Sequence, residues 1–198
     1  QVTRGSGAWV DVAVGDFNLD ARQEVKLSNH RMVALFSPAM GGHLYELDLK
    51  GNEVNILATL NRRPEPYHQR IIDHANNVVS AGDADLAAVS KEIKFRQPNL
   101  EKKIIYDKWP RKSLVDLFLQ PGSTHEDFRR GNSMIGDFAT GTYEASVRKG
   151  DQKIAVEMRR KGRVSDLNGE VRKNVILSSD RPNEMLIQYH VVGFPQNV

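Results

Sequence analysis

Cysteine is absent from the 198 residues, which excludes disulfides and thiolate metal sites. No apolar stretch approaches the roughly 20 residues that a bilayer-spanning helix needs, so no membrane partner is expected. Long basic runs are missing too. The net charge is only +3, too slight a basic excess to mark a nucleic-acid binder. The chain opens on Gln1 without an initiator methionine or a signal peptide, so an excised piece of a longer, cytoplasmic protein is expected. Phosphate-cradling glycine loops, G-x-S-x-G and H-E-x-x-H are also missing, which leaves nucleophilic-serine and zinc-hydrolase chemistry without support.

What remains is a globular composition, 39% hydrophobic and 27% charged, long enough for one sizeable core. The organising stretch is Arg31 to Lys50. Met32 to Phe36 is a continuous apolar run, suited to a strand buried on both faces. Ser37-Pro38-Ala39-Met40-Gly41-Gly42 breaks it, because proline fixes φ and glycine permits positive φ. Tyr45, Leu47 and Leu49 then alternate with Glu46, Asp48 and Lys50, a strand with one wet face. Together they predict an antiparallel pair about a Gly-Gly corner.

The same alternation recurs at Ala8 to Val14, Glu24 to Ser28, Thr142 to Val147, Ile154 to Arg159, Val171 to Leu177 and Met185 to Val192. Turns are expected at Lys149-Gly150-Asp151, Leu167-Asn168-Gly169 and Asp180-Arg181-Pro182-Asn183. Strands at short spacing predict an all-β, antiparallel β-sandwich formed by residues 1–198 as a single domain. Arg62-Arg63-Pro64-Glu65-Pro66-Tyr67-His68 cannot be helix interior. A short helix is expected after Pro66, through Ile71 and Ile72, and a mobile loop over 74–90. Ala87 to Phe95 fits helix or strand equally.

Several motifs fall in an order that resembles a known family. They are Asp16-Phe17-Asn18-Leu19-Asp20, Glu24-Val25, Pro38 with Gly41-Gly42, Glu46-Leu47-Asp48 and the Arg62 to His68 segment. Tyr106 to Leu114, Asp116 to Leu119, Phe128 to Gly131 and Gly136-Asp137-Phe138 continue the series. The chain resembles the C-terminal domain of glycoside hydrolase family 57 enzymes of the α-amylase and 4-α-glucanotransferase type. The resemblance implies a galactose mutarotase-like supersandwich behind a catalytic barrel that carries the nucleophile and the acid/base carboxylate. It also implies that the last strands of the domain are lacking here. No catalytic residue is therefore expected in this chain. Its expected partners are the barrel of the same full-length protein and an α-glucan or oligosaccharide.

Two groups of residues are candidates for function. Asp16-x-Asn18-x-Asp20-x-x-x-Glu24 spaces four oxygen-bearing side chains as loops that wrap Ca²⁺ do. Ala21 stands where such loops usually carry glycine, and a solvated Asx-capped turn is the plainer reading. Arg62, Arg63, Glu65, Tyr67, His68, Trp109 and Arg111 are the candidates for carbohydrate or inter-domain contact. Glu65, Asp107 and Asp116 read as partners of Arg62, Arg63 and Arg111 in an ion-pair network rather than as a hydrolytic pair. A stand-alone mutarotase-like enzyme and a calcium-stabilised interaction sandwich are the alternatives.

Overall fold

In the computed structural model, which describes residues 7–80 and 99–194, two antiparallel sheets face each other across one apolar core. The first contains β1 (Val10–Gly15), β2 (Glu24–Asn29), β3 (Met32–Ser37), β4 (His43–Leu49) and β5 (Val54–Asn55), in that order. The second contains β6 (Glu144–Lys149), β7 (Lys153–Val164), β8 (Leu167–Ser178) and β9 (Met185–Val192), again in sequence order. Up-and-down meanders of this kind need only short turns, which the glycine- and asparagine-rich connections supply. The inner rows meet in the core: Val25 and Leu27, Ala34 and Phe36, Ile154, Val156 and Met158, then Val171, Val175 and Leu177. The predicted sandwich and its antiparallel pairing are what the structure shows.

Contacts divide the chain into two compact units, 1–59 with 109–198, and 60–108. Both sheets of the sandwich lie in the first unit. The second holds α1 (Pro66–Ser80) and a short 3₁₀ turn at Glu101–Lys103. Pro66 opens α1, where a missing N–H costs nothing. The helix runs on to Ser80, so the loop expected from residue 74 begins no earlier than that. Asn76 to Ser80 contains neither glycine nor proline, and polar composition alone does not stop a helix. Residues 81–90 of the expected loop, and Ala87 to Phe95, lie outside the described residues. In the first unit, α2 (His125–Arg130) starts with a reciprocal capping box between Thr124 and Asp127.

Two details of the sheets depart from the pattern. A bulge pairs Leu35 with Glu46 but Phe36 with Leu44, leaving Tyr45 as the extra residue. Leu44, Leu47 and Leu49 pack on the core, while Tyr45 turns towards Glu24 and Glu46. The β7–β8 turn is Ser165-Asp166, with Val164 paired to Leu167, not the expected Leu167-Asn168-Gly169. Gly169 instead lies inside β8 opposite Gly162. A Cβ at Gly162 would come within 2.7 Å of the Phe138 ring, and one at Gly169 would strike Phe194. These glycines serve the close approach of two aromatic rings rather than a turn.

Among the described residues no helix is long and apolar enough to cross a membrane.

Candidate functional site

Within the 60–108 unit, Arg62, Arg63, Glu65, Tyr67 and His68 line one groove of about 450 Å³. Asn61, Ile71, Leu100, Lys103, Ile104 and Ile105 complete its wall. The segment entering the groove is held by Arg62. Its Nε donates to Asp107 Oδ1 at 2.8 Å and its backbone N–H to Asp107 Oδ2 at 2.6 Å. In return the Asp107 N–H donates to the Arg62 carbonyl at 2.8 Å. Arg63, by contrast, is 78% exposed and meets Glu65 at 3.0 Å. His68 packs against both Tyr67, with ring centroids 4.4 Å apart, and Tyr106, at 5.6 Å. Tyr67 itself is 58% exposed. The groove thus sets an exposed aromatic face beside fixed polar groups. Trp109 and Arg111 belong to the sandwich unit. Trp109 lies against Phe128 with ring centroids 5.7 Å apart, and the Arg111 carbonyl accepts a hydrogen bond from the Thr59 hydroxyl.

The acidic loop between β1 and β2 is a second constellation. One oxygen each from Asp16, Asp20 and Glu24 lies within 4.8 Å of the others. Asp16 accepts the N–H groups of Asp20 and Ala21 at 3.1 and 3.0 Å. Asn18 Oδ1 accepts the Asp20 N–H at 3.0 Å, and Asp20 Oδ1 accepts that of Arg22 at 2.9 Å. Leu19 and Ala21 adopt φ of 63° and 65°, so the tight turn forms without the glycine usual there. Glu24 is fully buried. Its Oε2 accepts the Phe17 N–H at 2.8 Å, and its Oε1 has no hydrogen-bond partner.

A third cluster escaped the sequence. Lys173 is fully buried on the inner row of β8. Its ammonium donates to the carbonyls of Gly41, Gly42 and Leu114 at 2.8, 3.1 and 2.7 Å and pairs with Asp116 at 2.9 Å. It also lies 4.4 Å from the centre of the Tyr143 ring. Tyr143, through its hydroxyl, and Tyr189 hydrogen-bond the same carboxylate. Burial pushes the Lys173 ammonium below its ordinary pKa and both phenols above theirs. The tie explains the Gly-Gly corner. Gly41 and Gly42 have φ of 67° and 54°, and side chains there would run into Ala139 and Tyr143.

Three acidic residues in the resembling motifs are thus held by bases: Asp107 by Arg62, Glu65 by Arg63 and Asp116 by Lys173. Lys173, not Arg111, is the partner of Asp116. Glu46 and Asp48 stand side by side on β4 and share a hydrogen bond. Burial and then Asp48 push the Glu46 carboxyl above its ordinary pKa. A glycosidase pair instead faces its partner across the scissile bond, roughly 5–10 Å apart.

Residues 16–197 match the family described as alpha-amylase/4-alpha-glucanotransferase, C-terminal. The chain is 32% identical over 168 residues to a 4-α-glucanotransferase of Thermococcus kodakarensis, covering 84% of this chain and 25% of that protein. An α-amylase of Pyrococcus abyssi is 28% identical over 167 residues, covering 83% of this chain and 24% of that protein. The crystal structure of the 4-α-glucanotransferase from Thermococcus litoralis shares the fold with a TM-score of 0.70 and 25% identity, over 92% of this chain and 26% of that one. The chain therefore spans about a quarter of the length of these relatives.

Proposed function

Because the chain belongs to the α-amylase/4-α-glucanotransferase C-terminal family, we propose that it is the non-catalytic β-sandwich of an α-glucan-processing glycoside hydrolase or 4-α-glucanotransferase. In this role it packs on the catalytic barrel of the same full-length protein, in the cytoplasm, and contributes a surface to the glucan. The observation that carries the proposal is the extent of the match, a quarter of each relative, joined to the commitment of Glu65, Asp107 and Asp116 to ion pairs. The groove of Arg62, Arg63, Glu65, Tyr67 and His68 is the surface assigned to barrel or oligosaccharide. Tyr67 offers the sugar its open face and Arg63 a hydrogen-bonding fork.

Incubated with maltoheptaose, the 198-residue chain alone is expected to yield neither shorter nor longer glucans. The full-length protein converts it, and loses that activity when Tyr67 and Arg63 are both replaced by alanine. Turnover by the chain alone, abolished by Glu46→Gln, would overturn the proposal.

A further inference from the structure

Among the described residues, no base neutralises the charge on the loop joining β1 to β2. Among the described residues, the carboxylates of Asp16, Asp20 and Glu24 converge within 4.8 Å, and none of the three is paired with a lysine, arginine or histidine. The nearest base on β2, Lys26, holds its ammonium over the Phe17 ring, 4.8 Å from its centre. Like charges at this separation repel one another unless a cation lies between them.

Glu24 supplies a second observation. It is fully buried, its carboxylate belongs to the cluster, and its Oε1 has no hydrogen-bond partner. A buried, unsatisfied carboxylate oxygen is costly. An ion from outside the chain is one partner that completes such an oxygen. The partner must be small, positive and able to bind several hard oxygens at once. Ca²⁺ binds carboxylate and amide oxygens at 2.3–2.6 Å. Two ligands on opposite sides of one ion therefore stand about 5 Å apart, which is the size of this cluster. With no thiolate and no histidine in the set, a soft metal is not favoured.

We propose that Asp16, Asn18, Asp20 and Glu24 form a Ca²⁺ site that ties the β1–β2 connection to the outer face of the first sheet. The side-chain oxygens of the three acids and of Asn18 supply the protein ligands, and water completes the shell. The ion removes the mutual repulsion of the carboxylates and satisfies Glu24 Oε1. Tyr45 faces the same acids. Burial, then Glu24, Glu46, Asp20 and Asp16, push its phenol above the ordinary range. It is therefore placed to sensitise a lanthanide bound there.

The test uses the 198-residue chain, stripped with EGTA and then titrated with CaCl₂. Ca²⁺ at a hundredfold excess over its Kd should raise Tm by roughly 5–10 °C through mass action. Tb³⁺ should show tyrosine-sensitised emission that Ca²⁺ displaces and Tyr45→Phe dims. Asp20→Asn retains Oδ1 as the acceptor for the Arg22 N–H, so the turn is kept. In EGTA this variant should melt at or above the parent, because one like charge is gone, and it should lose the response to Ca²⁺. Equal melting of the parent in EGTA and in millimolar Ca²⁺, without Tb³⁺ emission, overturns the site. So does an Asp20→Asn variant destabilised to the same extent with and without Ca²⁺, since that is the signature of a hydrogen-bonded turn alone.

Discussion

Lys173 places a charge where β8 otherwise presents Val171, Val175 and Leu177 to the core. Its ammonium holds three carbonyls and one carboxylate from segments far away in sequence, so it closes the Gly41-Gly42 corner and the Leu114–Asp116 stretch onto β8. Removing one partner of a buried pair leaves the other charge desolvated and uncompensated, at a typical cost of about 3–5 kcal/mol. Lys173→Met should therefore lower the unfolding free energy by about that amount in urea melts, although its apolar volume fits the core. A loss below about 1 kcal/mol would show that the network contributes nothing net. The lysine's position in an apolar row was visible in the alternation. Its partners were not, because Asp116 and the glycine carbonyls lie 57 or more residues away and no local pattern ties them to β8. The acidic loop is the opposite case. Its spacing of oxygen-bearing side chains is local and legible, and only the burial of Glu24 required the fold.

At the scale of elements, the entry into α1 separates two neighbouring arginines that the sequence could not tell apart. Arg62 is clipped to Asp107, whose side chain is 8% exposed, while Arg63 stands 78% exposed beside Glu65. Arg62→Ala should therefore weaken the 60–108 unit by about 1–2 kcal/mol. Arg63→Ala should stay within about 0.5 kcal/mol, as exposed substitutions do. Hydrogen exchange of the α1 amides reads both changes. A clear loss of protection in Arg63→Ala would give that residue a structural role and withdraw it from the contact surface. The strands themselves were legible because the alternation of β2, β7, β8 and β9 follows directly from the pleat. What misled was glycine and the bulge. Asn168-Gly169 has the composition of a turn, yet Gly169 is demanded by the Phe194 ring. Tyr45 fits the alternating row, yet the bulge removes it from that row.

At the scale of the whole molecule, the two chain segments that flank residues 60–108 meet within the sandwich unit. Ile56 N–H donates to the Leu47 carbonyl at 3.0 Å on the way out. On the way back, Leu44 and Ser113 exchange hydrogen bonds of 2.9 and 3.1 Å. Lys112 Nζ donates to the Leu57 carbonyl at 2.8 Å, and the Thr59 hydroxyl meets the Arg111 carbonyl. Both flanks of the insertion are therefore pinned to β4 or to each other, and the exit and return points are neighbours within the sandwich unit. Thr59 and Arg111 are 52 residues apart in sequence, which is why no composition shift revealed the nesting. The arrangement predicts that Leu60–Lys108 can be replaced by a short Gly-Ser linker without unfolding the sheets. Loop closure favours the shorter connection, by about 0.6 kcal/mol for each halving of a flexible loop. The shortened chain should melt cooperatively, within a few degrees of the parent, with a lower m-value because less surface is exposed on unfolding. Placed in the full-length protein, the same deletion removes the Arg62 to His68 groove while leaving the sandwich intact, so activity on maltoheptaose should fall with no loss of folded protein. A shortened chain that loses its near-ultraviolet circular dichroism or its cooperative transition would show instead that the sandwich depends on the inserted unit for its own stability.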